Sequence, residues 1–407
     1  MDLSFSRAAR VALTVVACSV AACSPSPPDE APASDAASGL TSCAAAAAGD
    51  HYEFLDDVCH RKLAPGNRER TWSCPNSAAT AGSYLPSSAP ITVDGQALKG
   101  LVPPSMQMTV VLVRRVGGVP HYRYLSNGNH EVAIQPLSST KFMAIANAAT
   151  RIRRLSSDAV GLDSTVDGIP VGDLVSVVTT YEESRFSSNG LASYFHDVGG
   201  RGHANGLIHG WLRRPASETF GGNYGEPSTA LGFTFVGAAA TAVVAPDRDD
   251  AVENHLSTLT MAEFLKRLAL HREDAATRLP GIQWKDLDVL FHGAASSRLF
   301  GGQSLGGMSA DTAIYIQQAI DMQALEQRSR GRWRIFSKLG FGESGFVHNS
   351  YTCAPSLDAN GSPVLGDGVE IVISMQAPRA GSERVQDAAI AKVYRDVVGR
   401  IVEHRLE

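Results

Sequence analysis

The sequence predicts a mixed α/β (α+β) fold: an antiparallel sheet built from N- and C-terminal strands, flanked by helices, with an all-helical insert as a second lobe. Two observations lead there. β-Branched runs bounded by Gly and Pro occur at both ends of the globular part, and apolar residues at three- and four-residue steps fill the middle. A third, the amphipathic C-terminal stretch, supplies a helix to cover the sheet.

At the N-terminus, Arg7 and Arg10 precede an apolar run, Val11 to Val20. The run falls short of the ~20 residues needed to span a bilayer and reads as the core of a secretory signal over residues 1–23. Its ending, Val20-Ala-Ala-Cys23, resembles a bacterial lipobox, which implies lipidation of Cys23 and cleavage before it. Ser24 at the next position implies the outer membrane, with the body in the periplasm. Residues 24–75 follow as tether and N-terminal segment; up to 48 they are rich in Ala, Ser and Pro and offer little to bury. In an oxidising compartment Cys43, Cys59, Cys74 and Cys353 allow three pairings, between which the sequence does not choose.

Residues 76–407 form the expected globular body, with a sheet lobe (76–150 and 330–407) and a helical lobe (151–329). Strands are expected at Met108–Val116, Tyr122–Leu125 and Glu131–Ile134, then a helix over Ser139–Ala149. Helices follow at Val171–Tyr181, Leu191–Val198, Asn205–Leu212, Leu259–His271 and Ala310–Gln327. Strands return at Trp333–Leu339, Phe346–Cys353 and Val369–Met375, the last two separated by a loop containing Asp358–Gly361 and Gly366–Gly368. Ile390, Val393, Val397 and Ile401 share one face of a final helix. A formal net charge of -5 gives no sign of nucleic-acid binding. With neither H-E-x-x-H nor C-x-x-C in the chain, no metal or cofactor is expected.

The chemistry lies in three short patterns. A serine hydroxyl needs a neighbouring base to become a nucleophile, and a lysine three residues on at a helix start provides one on the same face. Of seven lysines, only Lys141 has a serine three positions earlier, Ser138 in Pro136–Lys141. Ser187-Ser-Asn189 is the only Ser-x-Asn, and Lys338-Leu-Gly340 the only Lys-x-Gly. In this order the three resemble the motifs of the serine β-lactamase and penicillin-binding-protein (DD-peptidase) superfamily. Ser187–Gly200 looks like that family's helix ending in a double glycine, and Lys338–Gly345 is similar to the strand edge of class A β-lactamases.

The resemblance implies Ser138 as nucleophile, Lys141 as general base and Ser187 as proton relay. It places Asn189 on the substrate's side-chain amide and Lys338 near its carboxylate. Gly340 lies on the substrate-binding strand, and the N–H groups of Ser138 and Phe341 form the oxyanion hole. Glu226, in a Glu-Pro loop start, is the candidate deacylation base. The implied ligand is a small-molecule β-lactam or a peptidoglycan peptide, and the implied membrane contact is the lipid at Cys23. Leu339 departs from the family, which has a hydroxyl there; losing one hydrogen bond to a charged group costs roughly 1.5–3 kcal/mol.

Three readings stay open: a class A-like β-lactamase, a D-Ala-D-Ala carboxypeptidase, and a non-catalytic domain binding cell-wall peptide. Gly302-Gln-Ser304-Leu-Gly306 also matches a Gly-x-Ser-x-Gly nucleophile elbow, which requires a buried strand before it. His196, His203 and His209 read as polar surface or cap residues.

Overall fold

The computed structural model describes residues 74–180, 184–294, 297–302, 306–310, 315–329, 332–381 and 383–406. The expected signal, lipobox cysteine, tether, Cys43, Cys59 and Ser304 lie outside them. The sheet is built around five long strands: β1 (Gln107–Val116), β2 (Val119–Ser126), β3 (Arg334–Gly342), β4 (Gly345–Leu357) and β5 (Pro363–Pro378). Their order is β3-β4-β5-β1-β2, antiparallel at every step, so the three C-terminal strands join the two N-terminal ones in one sheet. Short strands at Ser77–Ala78, Leu85–Pro86 and Val93–Asp94 add to β1 and β2. The β1–β2 hairpin turns on Gly117 and Gly118, both at positive φ (58° and 82°), the conformation a two-residue hairpin demands.

Both sheet faces are covered, which explains why β1 is apolar almost without alternation. One face carries Val111, Val113, Phe336, Tyr351 and Val372 into the core shared with the helical lobe. The other carries Ile335, Ile371, Ile373 and Met375 against Ile390, Val393, Val397 and Ile401 of the C-terminal helix, Glu383–Val402. At the centre of the first core is α1 (Lys141–Leu155), buried on nearly all sides. It packs on α2 (Val171–Thr180) and α3 (Ser188–Gly199). At its C-terminal end Arg153 bonds Asp286 of the helix Trp284–His292 through two contacts of 2.7 and 2.8 Å. The helix α4 (Thr258–Ala269), capped by Ser257, covers the sheet beside α1. A disulfide joins Cys74 to Cys353, one of the pairings left open above.

Several local expectations need correction. The insert is not all helical: Thr165–Val166, Ile169–Pro170, Thr234–Val236 and Thr241–Val243 form a small four-stranded sheet. Glu131–Ile134 makes no strand, only a bridge from Ile134 to Leu256. Asn205–Leu212 is not one α-helix, because the chain passes from a short helix, Arg201–Gly206, into a π-turn at Leu207–Trp211. Ala310–Gln327 is interrupted, with short turns at Met308–Ala310 and Ile316–Gln318 before the helix Met322–Ser329. Gly366 and Gly368 sit inside β5, where positive φ accommodates an irregular register opposite Pro355–Leu357.

Candidate active site

Ser138 lies in a 3₁₀ turn, Leu137–Thr140, that leads directly into α1. Leu137, immediately before it, has φ 56°, a conformation that costs a branched residue energy and persists only where surroundings impose it. Those surroundings are visible. Ser139 Oγ donates to Pro136 O (2.6 Å), and Asn349 Nδ2 of β4 donates to Ser139 O (3.1 Å). Edge strand β3 presses on the turn so closely that a Cβ on Gly340 would lie 2.6 Å from Ser139 N and 2.8 Å from Ser138 N. Glycine is therefore required at 340, and Phe341 N–H follows it on a segment adjoining Ser138 N–H. The Ser138 side chain is half-buried, and its hydroxyl has no hydrogen-bond partner among the described residues.

Lys141 opens α1 and is 1% exposed. Its Nζ donates to Ser188 Oγ (3.0 Å) and Asn189 Oδ1 (2.5 Å). Burial pushes its pKa down to about 8, against the opposing pull of Glu226. Asn189 Nδ2 continues the chain to Glu226 Oε1 at 3.2 Å. Glu226 is exposed, and its loop is fixed by Ser193 Oγ donating to Glu226 O (2.9 Å) and by Thr229 N–H donating to Gly190 O. One connected set thus runs Lys141–Asn189–Glu226, with Ser188 on the lysine.

The serine facing Lys141 differs from the one the motif suggested. Ser187 is the N-cap of α3, its Oγ accepting from Asn189 N–H (3.1 Å) and Gly190 N–H (3.3 Å). Ser is a favoured cap because it satisfies amides that the first helical turn leaves unpaired.

Lys338 is fully buried on β3, and its Nζ donates to Leu339 O at 3.1 Å. Alternation along the strand sends Leu339 to the opposite face, where it packs on the apolar cluster beneath the C-terminal helix. Phe341 is 40% exposed, its ring 6.0 Å from Phe346 at the strand edge.

Two residues escaped sequence reasoning. His196 is fully buried, contrary to the surface or cap role expected; its ring packs 4.5 Å from Phe220, and burial lowers its pKa to about 3. Tyr224 lies between His196 and the lysine, its ring 5.6 Å from Lys141 Nζ. His203 and His209 are half-buried, bonded to Asn147 Oδ1 and Glu218 O.

The elbow at Gly302–Gly306 lacks its structural context in the described residues. A helix, Trp284–His292, and a turn at 298–302 precede it, with no strand between. A cavity of about 990 Å³ lined by Tyr122, Tyr124, Trp211, Glu263 and Lys266 includes no residue of the Ser138 set. Within it Tyr124, Glu263 and Lys266 already bond one another.

No family model and no curated protein matches the sequence. Solved structures do align. A β-lactamase from Sphaerobacter thermophilus is 13% identical at TM-score 0.42, over 77% of this chain and 98% of that one. PBP-A is 13% identical at TM-score 0.41, over 78% and 99%. The class A β-lactamase of the last common ancestor of Gram-negative bacteria is 14% identical at TM-score 0.39, over 73% and 93%. Values this low assign neither activity nor substrate to this chain.

Proposed function

We propose that this chain is a serine hydrolase that forms an acyl-enzyme at Ser138 and most readily opens the amide of a β-lactam. The observation that carries the reading is Lys141: a buried lysine with pKa about 8, three residues from a partnerless serine hydroxyl. A lysine held near neutrality is a competent general base. Neutral Lys141 accepts the Ser138 proton as Oγ bonds to the carbonyl carbon, and the N–H groups of Ser138 and Phe341 hold the oxyanion. The carbon–nitrogen bond then breaks, and the proton passes from Lys141 through Ser188 to the leaving nitrogen. In deacylation a water oxygen bonds to the acyl carbon while its proton goes to Glu226. The bond from Ser138 Oγ to carbon breaks, and the proton returns to Oγ. Asn189 and Lys338 are assigned to the substrate's amide and carboxylate, and Cys23 to a lipid anchor that tethers the body in the periplasm.

Leu339 favours a second reading. With its side chain turned under the C-terminal helix, β3 offers no hydroxyl at this position for a substrate carboxylate, which suits a purely binding role; a D-Ala-D-Ala carboxypeptidase stays the alternative enzyme reading. An intact-mass time course with benzylpenicillin, run beside Ser138→Ala, separates these. An adduct that appears and then disappears as penicillin is consumed supports the hydrolase. A lasting adduct points to the peptidase. No adduct at any concentration rejects β-lactam chemistry.

A further inference from the structure

Tyr224 touches both Lys141 and the turn that carries Ser138 without belonging to any of the three motifs. Its hydroxyl lies 3.4 Å from Thr140 Oγ1, in the turn that carries Ser138, and 3.4 Å from His196 Nε2 on α3. Its ring lies beneath the Lys141 ammonium, within cation–π range. Two residues further along the same loop stands Glu226. Thr140 Oγ1 in turn lies 3.4 Å from the carbonyl of the strained Leu137.

The seat for this tyrosine is built. His196 is held between Phe220 and Tyr224, and its Nδ1 has no partner among the described residues. A ring packed this tightly needs glycine opposite: Gly222 has φ 79°, and a Cβ there would come 2.5 Å from the imidazole. Gly222 N–H is tied to Asn254 Oδ1 at 2.9 Å. A buried histidine with an unmatched nitrogen is costly, and nothing in the acylation chemistry above employs it.

We propose that Tyr224, seated on His196, is a positioning residue that couples the Glu226 loop to the Ser138 turn and so governs release of the acyl-enzyme more than its formation. This rests on the acyl-enzyme reading given above. Lys141 is held by Ser188 and Asn189 as well as by the ring, so it keeps its place when the Tyr224 hydroxyl is removed. Among the described residues Glu226 has only Asn189 for a side-chain hydrogen-bond partner, and it depends on its loop for aim.

The test is Tyr224→Phe in the full chain, with benzylpenicillin as probe and adduct formation and decay timed separately by mass. Phenylalanine keeps the ring under Lys141 and removes the link to Thr140 and His196. Formation within about twofold of the parent, with decay slowed at least about tenfold, is the expected result. The pH midpoint of formation stays where it was. His196→Phe, which keeps the ring packing, reproduces the same asymmetry. Decay at the parent rate, or formation and decay slowed equally, overturns the proposal while leaving Ser138 chemistry intact. No adduct in the parent protein would sink the acyl-enzyme reading itself, and this inference with it.

Discussion

Replacing Glu226 with glutamine should separate the two halves of the reaction through the charge on Lys141. With a midpoint of about 8, the lysine is neutral in roughly one molecule in ten at pH 7 and about nine in ten at pH 9. If neutral Lys141 is the base, acylation accelerates about tenfold across that interval. Glu226 opposes the shift by favouring the ammonium form. Glu226→Gln removes that charge, so the midpoint moves down and acylation at pH 7 rises, to a ceiling of about tenfold where the lysine is fully neutral. Deacylation loses its base and slows by roughly 10²–10⁴. The adduct therefore forms faster and outlives the experiment. Rapid-quench mass spectrometry with excess benzylpenicillin from pH 6 to 10 reads both rates. An acylation profile flat across that range, or a midpoint that moves upward in Glu226→Gln, would refute the assignment of Lys141.

The two adjacent serines should behave oppositely: Ser188→Ala lowers turnover by about 10²-fold or more at unchanged stability. Ser187→Ala costs ~1 kcal/mol in a denaturant melt as a lost cap while leaving kcat near the parent value. Gly340→Ala, with its Cβ within 2.6–2.9 Å of Ser139 N, Ser138 N and Pro136 O, should cut acylation sharply and destabilise by about 1–3 kcal/mol in urea unfolding. Acid should weaken the fold through His196, His271 and His348, whose burial lowers their pKa values to about 3, 4 and 3. The native state keeps them neutral while the unfolded chain takes up protons below about pH 6.5. Stability falls as pH drops, by about 2 kcal/mol per histidine at pH 5, measurable as a falling urea midpoint. Cys353→Ser, which opens the Cys74 bridge, should cost roughly 2–5 kcal/mol and lower Tm.

Much of the fold was legible because its signals are local and strong. The β-branched run at Met108–Val116 became β1, and the spacing of Ile390, Val393, Val397 and Ile401 faces the sheet as expected. Ser138, Lys141 and Asn189 were chosen by spacing and Glu226 by its Glu-Pro loop start, and the structure joins Lys141, Asn189 and Glu226 in one hydrogen-bonded set. What failed depends on tertiary context. The π-turn at Leu207–Trp211 has the same apolar periodicity as a helix. Two-residue strands such as Thr165–Val166 carry no period at all. The helix Trp284–His292 was overlooked because polar and charged residues open it; its signature is the capping box between Gln283 and Asp286. Tyr224 and His196 lie 28 residues apart in sequence and meet only when the loop folds back on α3.

The bridge between Cys74 and Cys353 has a topological consequence. Ser138, Lys141, Ser188, Asn189, Glu226 and Lys338 all fall inside the covalent ring it closes. A protease that cuts once anywhere between those cysteines cannot release a fragment: the two pieces stay joined through sulfur, run as a single species on a non-reducing gel, and part only when a thiol is added. The chain can thus be nicked within that ring and still keep Ser138 and the Lys141–Asn189–Glu226 set on one molecule.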